Sequence, residues 1–146
     1  MATTRGKPAL LDTNVLIDAT DVGRARHRAA RALVERRSGL VICAQVVREF
    51  LAVSTRSVEH NGLGLSIADA LDNLAVFRQV ARLLPEEKPV LPHLLALLRS
   101  VPCQGKSIHD AAIVATMWTH RVRMLVTSNP RHFARFGSTI EIVELN

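Results

Sequence analysis

Aromatic side chains are almost missing from this chain. Its 146 residues include four Phe, one Trp (Trp118) and no Tyr, too few for a platform on which the bases of a single strand stack one after another. Cysteine is scarce as well. Cys43 and Cys103 have neither the spacing nor the His partner pattern of a zinc site, and both read as free thiols, Cys43 inside a strand. No apolar run approaches the roughly 18–20 residues of a membrane span. The Met1–Lys7 segment leads into only a few apolar residues and lacks the central stretch of a secretion signal, so a cytoplasmic location away from membranes is expected. Lysine is confined to Lys7, Lys88 and Lys106, which leaves a formal net charge of +6 resting on arginine.

What is present is the composition of a folded domain: 48% hydrophobic and 22% charged. A chain of this length makes one domain, taken here as residues 1–146, and buries enough surface to fold without staples. Arg24, Arg26, Arg28, Arg31, Arg36 and Arg37 crowd into one short segment. The planar guanidinium fork suits phosphate, so the cluster suggests a polyanionic partner. A general compositional bias toward arginine is the competing explanation.

Short apolar runs alternate with longer amphipathic segments. Ala9-Leu10-Leu11 ends a first strand, and Leu40–Cys43, Arg123–Thr127 and Ile140–Val143 supply three more. Helices are expected over Arg24–Arg37, Gln45–Thr55, Ser66–Leu84, Pro92–Leu98 and Ser107–His120, with a loop at Glu59–Gly64. Strands alternating with helices imply parallel pairing and right-handed crossovers. The expected fold is therefore a single three-layer α/β/α domain with a mainly parallel central sheet. The apolar faces around Leu71, Leu74, Leu94 and Leu97 read as core first and as partner surfaces second.

Three acids stand where the pattern calls for apolar neighbours: Asp12 after the first strand, Glu49 within Val46–Val53, and Asp110 within Ile108–Ala115. In open parallel sheets ligands bind at the carboxyl ends of strands, which is where Asp12 stands. Each acid also has a structural explanation. Asp12 is a good helix cap, Ser107-Ile108-His109-Asp110 resembles a capping box, and Glu49 fits an exposed helix face. If all three converge, mutual repulsion of roughly 4 kcal/mol per pair about 4 Å apart demands either partial protonation or a cation. An all-oxygen set favours Mg²⁺ or Mn²⁺, which keeps positions open for water and phosphate oxygens.

Four segments in order carry a family resemblance: Leu11-Asp12-Thr13-Asn14-Val15-Leu16-Ile17, Val47-Arg48-Glu49-Phe50, Ile108-His109-Asp110-Ala111, and Leu125 through Phe133. Together they resemble the PIN-domain ribonucleases, and specifically the VapC-type toxins of bacterial type II toxin–antitoxin pairs. The resemblance implies that Asp12, Glu49 and Asp110 hold Mg²⁺ or Mn²⁺, with Asp12 and Asp110 as direct ligands and Glu49 acting through water or on the nucleophile. It implies cleavage of RNA by a metal-activated water, leaving 5′-phosphate and 3′-hydroxyl ends. The fourth acid of the family falls at Asn129 or at His132, neither of which is acidic, and Asn129 is taken as part of the catalytic site. Asn14 and Thr127, with Arg24, Arg26 and Arg28, are taken to meet the substrate. The resemblance further implies a homodimer and a VapB-type antitoxin.

Two other functions compete. A non-catalytic RNA-binding module of the same fold is supported by the missing fourth acid. An Asp-nucleophile phosphatase is supported by Asp12 after a strand, but that chemistry wants a second Asp two residues on, where this chain has Asn14. A His-based ribonuclease using His109 would leave 2′,3′-cyclic phosphate instead.

Overall fold

The computed structural model describes residues 6–146; residues 1–5, part of the segment read above for a secretion signal, lie outside the described residues. Five strands form one sheet in the order β3-β2-β1-β4-β5, every neighbouring pair parallel. They are β1 (Ala9–Leu11), β2 (Leu40–Cys43), β3 (Ala81–Leu84), β4 (Met124–Thr127) and β5 (Glu141–Glu144). Between them run α1 (Thr13–Thr20), α2 (His27–Arg36), α3 (Ala44–Thr55), α4 (Ile67–Val80), α5 (Val90–Ser100) and α6 (Ser107–Thr119), with short 3-10 helices at Val58–His60 and Pro130–Phe136. Successive residues of a strand face opposite sides of its sheet, and every residue of β1 and β2 is buried. Both faces of the sheet are therefore covered, which is the three-layer arrangement that parallel sheets require.

Two expectations need correction. The helix from Ser66 was expected to reach Leu84; it ends at Val80, and Ala81–Leu84 is an edge strand whose Leu84 pairs with Cys43. Ala-Arg-Leu-Leu has no β-branched residue and favours helix by propensity, so nothing local marks it as a strand. Pairing to β2 and burial of Ala81 and Leu84 override that preference. The basic helix expected over Arg24–Arg37 begins only at His27, which leaves Arg24 and Arg26 outside it. Leu74 and Leu97 belong to the core, whereas Leu71 is 48% exposed. Cys43 is fully buried in β2, and burial pushes its thiol up to about 11, outweighing the backbone N–H groups of Val46 and Gln45.

The chain lays β2 and then β3 on one side of β1 before crossing to β4 and β5 on the other. The strand order thus reverses between β1 and β4. In such sheets the crevice for a ligand opens at that switch point, beyond the carboxyl ends of the strands. Leu11 is in register with Val126 there, and the Asp12 N–H continues the ladder by donating to the Val126 carbonyl at 2.9 Å.

Candidate active site

Asp12 leaves β1 with extended backbone and caps α1, its Oδ1 accepting from the Thr13 N–H at 2.8 Å. The capping explanation is therefore correct but incomplete. Oδ2 accepts from the Thr127 hydroxyl of β4 at 2.8 Å, and the carboxylate also lines a pocket of about 250 Å³. Glu49, half-buried on α3, and Asp110, on the first turn of α6, line the same pocket. The three acids, widely separated in sequence, share one cavity because α1, α3 and α6 pack together around the switch point.

The capping box expected at Ser107–Asp110 does not form. Lys106 takes the cap position, and the Ser107 hydroxyl is engaged with the backbone of Gln104. The Asp110 carboxylate, released from capping, faces the pocket instead. Glu49 is held on both oxygens, by the Thr13 hydroxyl at 2.7 Å and the Gln45 amide at 3.1 Å.

Burial pushes Asp12 up to about 6, against the hydrogen bonds from Thr127 and Thr13, and the charges of Glu49 and Asp110 push the same way. Asp110 is raised by burial and then by Glu49, opposed by the neighbouring His132, Lys106 and Arg135 side chains. A site that raises its own carboxylates is one that a cation relieves. The three carboxylates are hard oxygen donors and no thiolate lines the pocket, which suits Mg²⁺ or Mn²⁺; the imidazoles of His109 and His132 stand on the same wall. Among the described residues no three His, Cys, Asp or Glu side chains converge closely enough to ligate one ion directly.

The remaining sequence candidates separate. Asn14 lines the pocket. Thr127 is fully buried behind Asp12, to which its hydroxyl donates, and is not among the residues lining the pocket. Asn129 does not line the pocket; its N–H donates to Thr127 Oγ1 at 3.0 Å and its Nδ2 donates to His132 Nε2 at 3.1 Å. His132 occupies the pocket wall in its place.

None of Arg24, Arg26 and Arg28 lines the pocket. Arg24 pairs with Asp18 at 3.6 Å and Asp21 at 3.5 Å, while Arg26 donates to the Leu145 carbonyl at 3.1 Å and approaches Glu144 at 4.0 Å. Arg28 is exposed. Sequence reasoning overlooked Arg56 and Lys106 as basic lining residues; His109, weighed there as the base of a His-based ribonuclease, lines the pocket too. Only the position of Lys106 just ahead of the Asp110 segment hinted at it.

The match to known families follows this geometry. Residues 9–138 match the PIN domain. The chain belongs to the PIN-domain family. No curated protein matches it in sequence. Among solved structures, this PIN domain is similar to a toxin-antitoxin complex from Klebsiella pneumoniae (23% identity, TM-score 0.64, covering 94% of this chain and 98% of that one). It is similar to VapBC2 from Rickettsia felis, solved bound to a promoter DNA fragment (15% identity, TM-score 0.67, 94% and 98%). It is also similar to VapC20 from Mycobacterium tuberculosis, a sarcin-ricin loop cleaving toxin (18% identity, TM-score 0.62, 80% and 86%). At these identities the likeness is one of fold.

Proposed function

We propose that this PIN domain is a divalent-metal-dependent endoribonuclease and the toxin member of a VapBC-type pair. The observation that carries the reading is the convergence of Asp12, Glu49 and Asp110 on one pocket at the switch point of the sheet. Asp12 and Asp110 would hold Mg²⁺ or Mn²⁺ directly, and Glu49 would act through water. Bound there, the ion would polarise a phosphodiester and lower the pKa of a water.

The chain's own residues have distinct tasks. Thr127 and the Thr13 N–H fix the Asp12 carboxylate in orientation, each at 2.8 Å. Asn129 steadies both Thr127 and His132. The Thr13 hydroxyl donates to Glu49 and leaves that carboxylate able to accept a proton from water. Asn14 on the pocket wall offers an amide to the substrate.

The partners follow the same reading. A VapB-type antitoxin is supported by the fold's likeness to toxin–antitoxin complexes. A homodimer is supported by the exposed apolar side chains of α4 and α5, among them Ile67, Leu71, Leu91 and Leu95. No described helix is long and apolar enough to cross a membrane.

Cleavage of single-stranded RNA with Mg²⁺ or Mn²⁺ tests the activity, with EDTA, Asp12→Ala and Asp110→Ala as comparisons. Cleavage that survives EDTA or both substitutions would sink the proposal. Binding without cleavage in either metal would favour the non-catalytic module. Ends carrying 2′,3′-cyclic phosphate would point to a His-based reaction.

A further inference from the structure

Beside the acidic pocket lies a second hollow of about 550 Å³, walled by the Pro102–Ser107 segment on one side and by His132 and Arg135 on the other. Lys106, Asp110 and His132 line both cavities, so the two adjoin as neighbouring parts of one groove-like face. The charge reverses along it. Asp110 is the hollow's one acidic lining residue, at the shared boundary, and it faces the Lys106 ammonium and the Arg135 guanidinium. Among the described residues neither cation has a carboxylate within ion-pair distance, unlike Arg24 and Arg26.

The basic groups are held in place. Arg135 Nη1 donates to the Pro102 carbonyl at 2.9 Å, which fixes the guanidinium across the hollow and leaves its other N–H groups uncommitted. The Asn129 amide lies 3.1 Å from His132 Nε2 and holds the ring in place. No Phe, Tyr or Trp lines the hollow, so a base finds no stacking platform of that kind. What the surface presents is positive charge and N–H donors, the chemistry that recognises phosphate and not base identity.

The geometry points to a backbone clamp: Lys106, His132 and Arg135 hold the phosphate next to the scissile one in a single RNA strand laid along the groove. The assignment rests on the nuclease reading of the adjoining pocket. It also solves a problem which that reading creates. Three carboxylates with one divalent ion are net negative, and with Arg56 and Lys106 on the pocket wall offsetting that charge a polyanion still gains from further cations at the rim. The clamp places them on the Asp110 side, and it assigns affinity to this groove and not to the arginine cluster ahead of and along α2.

The test uses a fluorescein-labelled ten-nucleotide single-stranded RNA and the Asp12→Asn protein in EDTA, where no cleavage occurs. Adding K106A/R135A is expected to weaken binding roughly fivefold or more and to lower the log–log salt slope by about 1.4, two contacts at about 0.7 each. Cys103 gives an independent readout. It lines the hollow, whereas Cys43 is fully buried, so iodoacetamide reports on Cys103 alone. RNA is expected to slow that alkylation in the Asp12→Asn protein and to lose the effect when K106A/R135A is added.

An unchanged slope, alkylation indifferent to RNA, or no RNA binding at all overturns the clamp. Cleavage by the otherwise native chain together with an unchanged slope rejects the clamp and leaves the nuclease standing. A reduced slope and RNA protection, with no cleavage in Mg²⁺ or Mn²⁺, keeps the clamp and rejects the nuclease.

Discussion

Asp12→Asn is expected to make the metal-free protein more stable at neutral pH while destroying its function. Burial raises the Asp12 carboxylate from 3.8 to about 6. At about 1.4 kcal/mol per unit, keeping it ionised at pH 7 costs the folded state about 3 kcal/mol. An amide in its place carries no charge. Asn still offers one oxygen to the Thr13 N–H but cannot accept from the Thr127 hydroxyl, a loss of about 1 kcal/mol.

The net gain is about 2 kcal/mol, or roughly 4–8 °C in Tm for a domain of this size. The sign with pH is fixed. A raised folded-state pKa means that the native state binds more protons than the unfolded chain between about pH 6 and 4. Asp12 therefore contributes increasing stability as pH falls through that window and a penalty above it. The advantage of Asp12→Asn should accordingly shrink from pH 7 to pH 4.

Urea unfolding in EDTA at several pH values measures the difference between the two proteins directly. It isolates Asp12, because Asp110 titrates in both. Saturating Mg²⁺ or Mn²⁺ should then reverse the order, stabilising the native chain by about 2.7 kcal/mol at a hundredfold excess over Kd and the variant by much less. A variant less stable than the native chain at pH 7 in EDTA, or a difference that does not narrow toward pH 4, refutes the reasoning.

Thr127→Val removes the hydroxyl that orients Asp12 and the acceptor for the Asn129 N–H; Mn²⁺ affinity measured by titration calorimetry should fall roughly tenfold, as for other residues that support ligands. The acid limb of its activity profile should move to higher pH, since a hydrogen bond that lowers Asp12 has gone. R24A/R26A/R28A should change the RNA salt slope by less than about 0.7, because two of the three side chains hold partners within the fold. Leu97→Ala should cost about 2–5 kcal/mol in urea unfolding, since that side chain is 1% exposed. Leu95→Ala, 45% exposed on the same helix, should change stability by less than about 0.5 kcal/mol and instead weaken dimerisation in sedimentation.

The strands that were legible beforehand are those with a local signature. Leu40–Cys43 is bounded by Ser38-Gly39 and rich in β-branched residues, and its limits agree with β2. Ala81–Leu84 has no such signature, and its strand identity comes from β2 beside it. The same divide runs through the site. Asp12 and Asp110 drew notice because a carboxylate in an apolar segment is costly unless something uses it. Lys106 and Arg56 sit in polar stretches where any charge is unremarkable, and only packing places them on the pocket wall.

The sequence by itself determined the fold class, the three acids and their order along the chain. Hydrophobic periodicity and misplaced charge are local quantities, readable within a few residues. The tertiary structure decided what those acids meet: that Asp12 both caps α1 and faces the pocket, that Asp110 is released from capping, that Thr127 lies buried behind Asp12 and donates to it, and that His132 stands where a fourth acid was sought. It also gave Arg24 and Arg26 partners within the fold and set Lys106 and Arg135 beside the site. These are relations between residues far apart in the chain, set by the crossing of strand order between β1 and β4, and distance through space is the one variable that a linear pattern does not contain.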